Sequence, residues 1–350
     1  MISQDKRAVL AALGAAVLFG AGTPSAKWVL GQADPWLVAG LLYAGSGIGL
    51  LLFRLVTRHP RAVLQPGELK WLVAAIAAGG VVGPILLMYG LSGMSASGAS
   101  LLLNAEGVFT ALLAWFVFRE NFDRRIAIGM LLIVLGAVAI AWPREAALGA
   151  AIPALAILGA CLAWAIDNNL TRKVALADAT FIAASKGLVA GVVNVTLALV
   201  VVGARWPATP VVGATMAIGF VSYGLSLSLF VLALRGLGTA RTGAYFSIAP
   251  FAGAIIAFAV LREPLTGQVL AGGLLMAIGV WLHLTEHHEH RHTHAPLRHS
   301  HEHEHDVHHQ HAHAPTDPPG THHTHEHVHA PMTHAHTHYP DSHHRHEHGS

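Results

Sequence analysis

The chain has little charge and a single cysteine, and both scarcities narrow the classes of protein it can belong to. Only 11% of its 350 residues are charged, whereas soluble domains carry about 25%. With 53% hydrophobic residues, a folded chain in water would expose too much apolar surface, so a bilayer is the expected solvent. The lone Cys161 excludes an intramolecular disulfide and a thiolate zinc cluster. We expect Cys161 to be a small buried hydrophobe.

The usual signatures of soluble enzymes and nucleic-acid-binding proteins are also missing from the sequence. It contains no Gly-rich phosphate loop, no HExxH motif and no basic helix with interleaved aromatic residues. The formal net charge of +2 gives no electrostatic reason to expect nucleic acid. We therefore expect neither an enzyme nor a nucleic-acid partner, and no required cofactor.

Ten apolar windows are long enough to cross a bilayer as helices, which takes about 20 residues each. Turn signals such as Asp34-Pro35 and Glu263-Pro264 separate them. The windows are 8–30, 36–57, 71–92, 98–118, 126–142, 149–171, 179–203, 211–234, 243–261 and 265–284. The pattern predicts an all-α membrane protein with ten transmembrane helices.

Two stretches of the first half recur in the second half. Residues 14–27 resemble residues 159–173; Phe19 matches Trp164 and Lys27 matches Arg172, both at an offset of 145. Residues 104–120 resemble residues 247–263 at an offset of 143. In the second match both copies end in Arg-Glu and lead into a Gly-rich span. The chain therefore reads as two related halves of five spans each.

The distribution of Lys and Arg predicts how the halves are oriented. With the N-terminus inside, the inner loops hold thirteen Lys and Arg, and the outer ends hold four; an excess of Lys and Arg marks the cytoplasmic side. Both termini are then cytoplasmic, in the inner (plasma) membrane. Because five is odd, the repeats 1–145 and 146–285 have opposite senses, as in many secondary transporters. Residues 286–350 form a separate tail.

The repeated motif carries a family resemblance. The stretch SLLLNAEGVFTALLAWFVFRE, followed by a Gly-rich span, resembles the EamA family of the drug/metabolite transporter superfamily. The resemblance covers about residues 1–285 and implies ten helices, a pseudo-two-fold axis in the membrane plane, and a central cavity lined by both halves. It also implies a cargo such as an amino acid, a metabolite, a drug or a nucleotide-linked sugar. Glu106 aligns with Ala249, so a role for this acid is not duplicated.

Two acids lie inside spans, where a charge at the bilayer centre costs at least about 2.5–3.5 kcal/mol. Glu106 is eight residues into its span, roughly 12 Å deep at 1.5 Å per residue. It either faces a cavity or is a hydrogen-bonded packing residue. Asp167 is four residues from the end of its span, roughly 6 Å deep. It is either a cavity residue or a local cap near the helix end.

Other polar and aromatic side chains extend the list of cavity candidates. Lys186 lies at a depth similar to that of Asp167 on the next helix, so the two form an ion pair or Lys186 contacts substrate. Asn104 and Asn168 are amides that either line a cavity or join helices. Trp164 lies deep in its span, where it lines a cavity or packs.

The tail has a different chemistry, because 25 of the 27 histidines follow Glu286. It lacks any apolar periodicity, so we predict that it is disordered. Neutral imidazoles bind Zn, Ni, Co and Cu ions; the alternative is a solvating or pH-sensitive tail. The predicted metal ligands are His287, His288, His290, His292, His294, His301, His303 and His305.

Three functions remain open at this point. The leading one is a secondary transporter, an exporter of a small metabolite or amino-acid-like substrate, with a metal-binding cytoplasmic tail. The alternatives are a divalent transition-metal (Ni, Co or Zn) efflux protein and a membrane-anchored metal buffer or sensor. The expected partners are a small-molecule substrate, membrane lipid and transition-metal ions at the tail, and a homodimer stays open.

Overall fold

A computed structural model describes residues 4–57, 67–118, 124–142, 151–171, 174, 178–285, 289–294, 297–303, 323–329 and 332–337. The chain divides into two compact units, Met1–Thr285 and Glu286–Ser350. The described part of the first unit is helical, and the described part of the second unit consists of strands.

Thirteen α-helices are seen in the described part of the first unit. They are α1 (Gln4–Leu30), α2 (Pro35–Val56), α3 (Glu68–Ala75), α4 (Gly83–Gly93), α5 (Ala96–Leu102), α6 (Ala105–Phe118), α7 (Arg124–Ala141), α8 (Ile152–Thr171), α9 (Ala179–Leu197), α10 (Thr209–Gly219), α11 (Ser226–Phe246), α12 (Ala249–Leu261) and α13 (Gly267–Leu284). Three π-helical segments continue or join them: Ile76–Val82, Ala198–Val202 and Phe220–Leu225.

Seven helical runs among the described residues are long and apolar enough to cross a membrane. They are Lys6–Leu30, Pro35–Val56, Glu68–Gly93, Ala96–Leu113, Ile152–Thr171, Thr180–Val202 and Thr209–Ala233. The other three predicted windows contain shorter apolar helices, Ala127–Ala141, Ala249–Leu261 and Gly267–Leu282. Large apolar side chains such as Val56, Val200 and Val260 are exposed, as expected of surfaces that meet lipid rather than water.

The two repeats have corresponding irregularities. A π-helical segment begins at Ile76 in the first repeat and another begins at Phe220 in the second. Turns break the helices at residues 103–104 and 247–248. Both pairs are 144 residues apart, one residue from the offset of the second sequence match. At this offset Glu106 corresponds to Pro250 rather than Ala249, so it still has no acidic counterpart.

Helices of one repeat pack against helices of the other. α2 packs on α9, and α7 packs on α13. Helix α1 packs on α11 and α12, as α8 does on α4 and α6. The α2–α9 seam is close because glycines meet there: a Cβ on Gly187 would lie 2.7 Å from the Cα of Gly47. Close approach of this kind is how small residues hold membrane helices together.

A lysine and a glutamate brace the break between α4 and α5. The Lys27 ammonium, on α1, donates to the carbonyl oxygens of Leu91 (2.5 Å) and Met94 (2.8 Å) at the end of α4. The Glu263 carboxylate, which follows α12, accepts from the Ala96 and Ser97 amides (2.6 and 2.9 Å) at the start of α5. Cations at helix C-termini and anions at N-termini are both stabilising.

The start of α9 is capped by Asp178. Its carboxylate accepts from the Phe181 amide at 2.8 Å and from the Thr180 hydroxyl at 2.5 Å, and it forms an ion pair with Arg54 of α2. Partial burial by itself would raise the pKa of Asp178. The Thr180 and Phe181 hydrogen bonds and the Arg54 guanidinium outweigh burial and hold this pKa below its usual range.

Four strands lie in the described residues of the second unit, where the sequence predicts disorder. β1 (Glu289–His294) pairs antiparallel with β4 (Met332–Thr337), and β2 (Leu297–His303) pairs antiparallel with β3 (His323–His329). The sequence predicts disorder because the tail lacks an apolar core. Backbone pairing between strands needs no such core, because the amide and carbonyl groups satisfy one another.

Candidate functional site

The helices of the first unit surround a cavity of about 510 Å³. Lining residues come from α1, α2, α4 and α6 of the first repeat and from α8, α9 and α11 of the second. A cavity of this size suits a small molecule, because ligand pockets usually hold about 300–1,000 Å³. One part of its wall is charged and another part is aromatic.

The charged part of the wall is built on an ion pair between α8 and α9. The Lys186 ammonium lies 2.5 and 2.6 Å from the two carboxylate oxygens of Asp167. Thr171, one helical turn after Asp167, donates to the same carboxylate at 2.9 Å. The predicted ion pair is therefore present, and all three side chains also line the cavity. Asp167 is buried, with 8% of its side chain exposed, and Lys186 retains 19%.

A second acid faces the same space. Glu106, in the first turn of α6, accepts a hydrogen bond of 2.8 Å from the amide of Asn168. Asn168 directly follows Asp167 on α8, so one cavity acid and the hydrogen-bond partner of the other are consecutive residues. Lys186 is the one Lys or Arg among the described lining residues. The lining thus carries two acids and one base, a formal charge of −1.

The π-helical segment Ile76–Val82 places a backbone acceptor beside this charged wall. The Gly79 carbonyl accepts from the Trp164 indole at 2.8 Å and from the Tyr43 hydroxyl at 3.0 Å. π-Helical bulges break the regular pairing of helix carbonyls and are frequent at functional sites. Gly79 is also needed for space, because a Cβ there would lie 2.0 Å from Oδ2 of Asp167.

Aromatic rings form a second, apolar part of the cavity wall. Phe19 of α1 contacts Tyr223 and Phe246, with ring centroids 5.8 and 5.2 Å apart. Tyr43 lies 5.9 Å from Tyr223, and Phe230 lies 5.0 Å from Phe246. All five rings line the cavity. Sequence reasoning missed them, although the repeat had already matched Phe19 with Trp164, and both of these residues are in the wall.

Five of the six predicted cavity residues lie around this space, namely Glu106, Trp164, Asp167, Asn168 and Lys186. Asn104 is not among the lining residues. Its side chain is buried at the turn between α5 and α6, where the amide donates to the Leu101 carbonyl at 2.8 Å. A helix break needs partners for its free carbonyls, and Asn104 supplies one.

The predicted metal ligands belong to the tail. His287, His288 and His305 lie outside the described residues. His290, His292 and His294 are on β1, and His301 and His303 are on β2. Among the side chains that the structure describes, no group of three or more His, Cys, Asp or Glu is arranged to hold a metal ion. Cys161 is fully buried, as predicted.

Comparison with known proteins gives consistent matches. A family model described as the EamA-like transporter family matches the chain twice, over residues 6–142 and 151–285. A protein described as "Uncharacterized transporter" from Methanothermobacter thermautotrophicus is 28% identical over 288 residues, covering 77% of this chain and 83% of the relative. A "Probable amino-acid metabolite efflux pump" from Salmonella typhimurium is 25% identical over 278 residues, covering 68% and 90%.

A solved crystal structure also resembles the chain. It superposes with a TM-score of 0.60 at 17% identity, covering 79% of this chain and 95% of the other. At this level of identity, the likeness shows a shared fold.

Proposed function

Because the chain belongs to the EamA-like transporter family, we propose that it is a secondary transporter that exports a small metabolite or amino-acid-like substrate by alternating access. Members of this family are transporters rather than enzymes, and the chain is a multi-pass membrane protein. One observation carries the proposal: the 510 Å³ cavity takes its wall from both repeats. Movement of one repeat against the other would then change the access to a bound molecule.

The wall chemistry supports a substrate with two charged groups and an apolar body. A substrate carboxylate can bind Lys186, and a substrate ammonium can bind Glu106 or Asp167, through charge-assisted hydrogen bonds. The aromatic rings offer apolar area and faces that attract a cation. The described lining contains neither imidazole nor thiolate, the donors preferred by transition metals. This donor set favours an organic substrate over a bare metal ion.

The proposal includes a membrane topology. Ten spans in two inverted repeats, with both termini on the cytoplasmic side of the plasma membrane, fit the excess of thirteen over four Lys and Arg. The paired irregularities at Ile76 and Phe220 support the equivalence of the two repeats. The tail is then cytoplasmic, and we propose that it binds Zn, Ni, Co or Cu ions as an accessory to transport.

Glu106 provides the test of this function. Purified protein in proteoliposomes should take up amino acids from a labelled panel by exchange, and Glu106→Gln should lower the flux of the accepted substrate at least about tenfold while leaving folding intact. We expect this loss because Glu106 is the lining acid that is not paired with Lys186, the one Lys or Arg of the described lining. Glu68→Gln, which changes an acid outside the lining, is the matched control. Equal flux for Glu106→Gln and wild type across the panel would remove Glu106 from the mechanism.

A further inference from the structure

Two stretches of the tail run antiparallel to each other. β1 pairs with β4, and β2 pairs with β3. We call β1 with β4 the outer ribbon and β2 with β3 the inner ribbon, because β2 and β3 lie between β1 and β4 in the sequence. Residues 289–303 are thus matched in order with residues 337–323. The same tripeptide stands in both stretches at the junction between the outer and the inner ribbon. His-Ala-Pro occurs at 294–296 and at 329–331, and a third copy lies between the ribbons at 313–315.

The register sets histidine opposite histidine. In the outer ribbon, His290 is opposite His336 and His292 is opposite His334. Residues two apart on a strand share a face of a ribbon. Four histidine positions of the outer ribbon therefore fall on one face, as two neighbouring cross-strand pairs.

The inner ribbon repeats the arrangement with one more pair. His299 is opposite His327, His301 is opposite His325, and His303 is opposite His323. A shift of the register by one residue would place these histidines opposite other residues and on the opposite face. Five cross-strand histidine pairs thus depend on a single alignment of two stretches that are separated by residues 304–322.

Strand pairing alone gives such a ribbon little stability. Two-stranded ribbons are marginal in water even with apolar contacts, and the paired residues here are largely His, Thr, Glu and Arg. Opposed Cβ atoms in an antiparallel pair are about 4.5–5.5 Å apart, which brings two side chains within reach of one ion. Imidazole nitrogens bind Zn²⁺ at about 2.0–2.1 Å, and structural zinc sites are almost always four-coordinate.

We propose that transition-metal ions close these ribbons, each ion being held by two neighbouring cross-strand histidine pairs. One site uses His290, His292, His334 and His336, and a second uses His299, His301, His325 and His327. Metal binding then supplies the free energy that the strands lack, as in small metal-dependent domains. This inference rests on the proposed metal binding by the tail and specifies its ligands and its effect on the chain.

Zinc titration of the full-length protein in detergent tests the ligands. Wild type should bind at least two more equivalents of Zn²⁺ than a chain that ends at Thr285. The quadruple variant His290→Ala, His292→Ala, His334→Ala, His336→Ala should lose one tight equivalent, with affinity there falling about tenfold or more. The matched control removes four histidines between the ribbons: His308→Ala, His309→Ala, His311→Ala, His313→Ala. This control should keep both tight equivalents.

Distance measurement by spin-label electron resonance tests the pairing. Labels on Ser300→Cys and Glu326→Cys, in a Cys161→Ala background, mark a register pair that contains no histidine. We expect a broad distance distribution without metal and a narrow, short one with Zn²⁺. Thr293→Cys with Thr333→Cys reports on the outer ribbon in the same way.

Two outcomes would overturn the inference, and they differ in meaning. If Zn²⁺ binds but leaves the distances broad, or if both quadruple variants lose affinity equally, the tail binds metal without forming paired sites. The proposed metal-binding tail would then stand, and only the paired sites would fail. If the full chain binds no more Zn²⁺ than the chain ending at Thr285, the metal-binding tail fails as well.

Discussion

Lys186 and Asp167 neutralise each other inside the helix bundle, which makes each side chain costly to leave alone. The carboxylate binds the ammonium through both oxygens and receives the Thr171 hydroxyl as well. Removing one partner of a buried pair typically costs about 3–5 kcal/mol, whereas replacing both can be nearly neutral. The same two side chains line the cavity, so under the proposed function the ion pair is also accessible to substrate.

This asymmetry predicts a pattern in stability. Asp167→Asn should destabilise the protein by roughly 1–3 kcal/mol, below the value for dry pairs because Lys186 retains 19% of its side-chain exposure. The double variant Asp167→Asn, Lys186→Met should recover part of that loss, because no uncompensated ammonium remains. Thermal unfolding in detergent, evaluated as a double-mutant cycle, measures both effects. Strictly additive losses would show that the two charges are not coupled.

Asp178 gives a pH dependence with a definite sign. Because its folded pKa is lowered, the carboxylate adds stability above its unfolded pKa of about 3.9, and this stability is lost as pH falls through the folded pKa. Asp178→Asn should therefore lower the unfolding temperature at pH 6–7 and narrow its difference from wild type toward pH 3. Thermal scans between pH 3 and 7 measure this. A constant difference across that range would contradict the assignment.

Among the elements, the π-helical segment Ile76–Val82 has the most direct effect on the cavity. It presents one carbonyl, that of Gly79, to two ring donors from different helices, Trp164 and Tyr43. The backbone passes so close to Asp167 that only a residue without a Cβ fits. The position and the shape of the charged wall therefore depend on the π-helical segment Ile76–Val82, which is several helices away from Asp167 in the sequence.

Gly79→Ala should disturb the site more than its small size suggests. The added Cβ would lie 2.0 Å from Oδ2 of Asp167, so either that carboxylate or the segment must move. We expect a loss of substrate affinity of about tenfold, with membrane insertion retained. Gly213→Ala, where a Cβ meets nothing within 4 Å, is the matched control. Substrate-binding measurements on both variants test this. Equal affinities would show that the close contact between Gly79 and Asp167 does not affect substrate binding.

The sequence predicted which helices have charged residues within the membrane, but not which helix faces lie together around the cavity. Depth and cost of burial were enough to single out Glu106, Asp167 and Lys186. The aromatic wall joins Phe19 to Phe246, more than 200 positions away, and composition carries no information on that approach. Asn104 has a suitable residue type and depth, yet it stabilises a helix break that the apolar window 98–118 conceals.

At the scale of the whole molecule, the membrane unit has its own core. Buried residues from both repeats, among them Leu42, Leu102, Ile157 and Met276, form one apolar cluster within Met1–Thr285. The described residues of this cluster all lie within Met1–Thr285. Folding of the transporter should therefore be independent of residues 286–350.

Truncation after Thr285 should leave insertion and substrate flux within about twofold of wild type. What should change is the response to metal, because the truncated chain loses 25 of its 27 histidines. Flux in metal-free vesicles, and again with micromolar Zn²⁺ on the cytoplasmic side, separates the two contributions. A truncated protein that inserts but cannot transport in metal-free medium would place the tail within the transport mechanism.

The glycine seam between α2 and α9 constrains how this protein can diverge. Where Gly47 meets Gly187 the two backbones touch, so almost any substitution there separates the repeats. The aromatic side chains of the cavity wall are less restricted, because they border open space. Related proteins can therefore exchange wall residues and acquire a new cargo while the seam stays unchanged. Substrate selectivity can change in evolution, whereas the packing of the two repeats cannot.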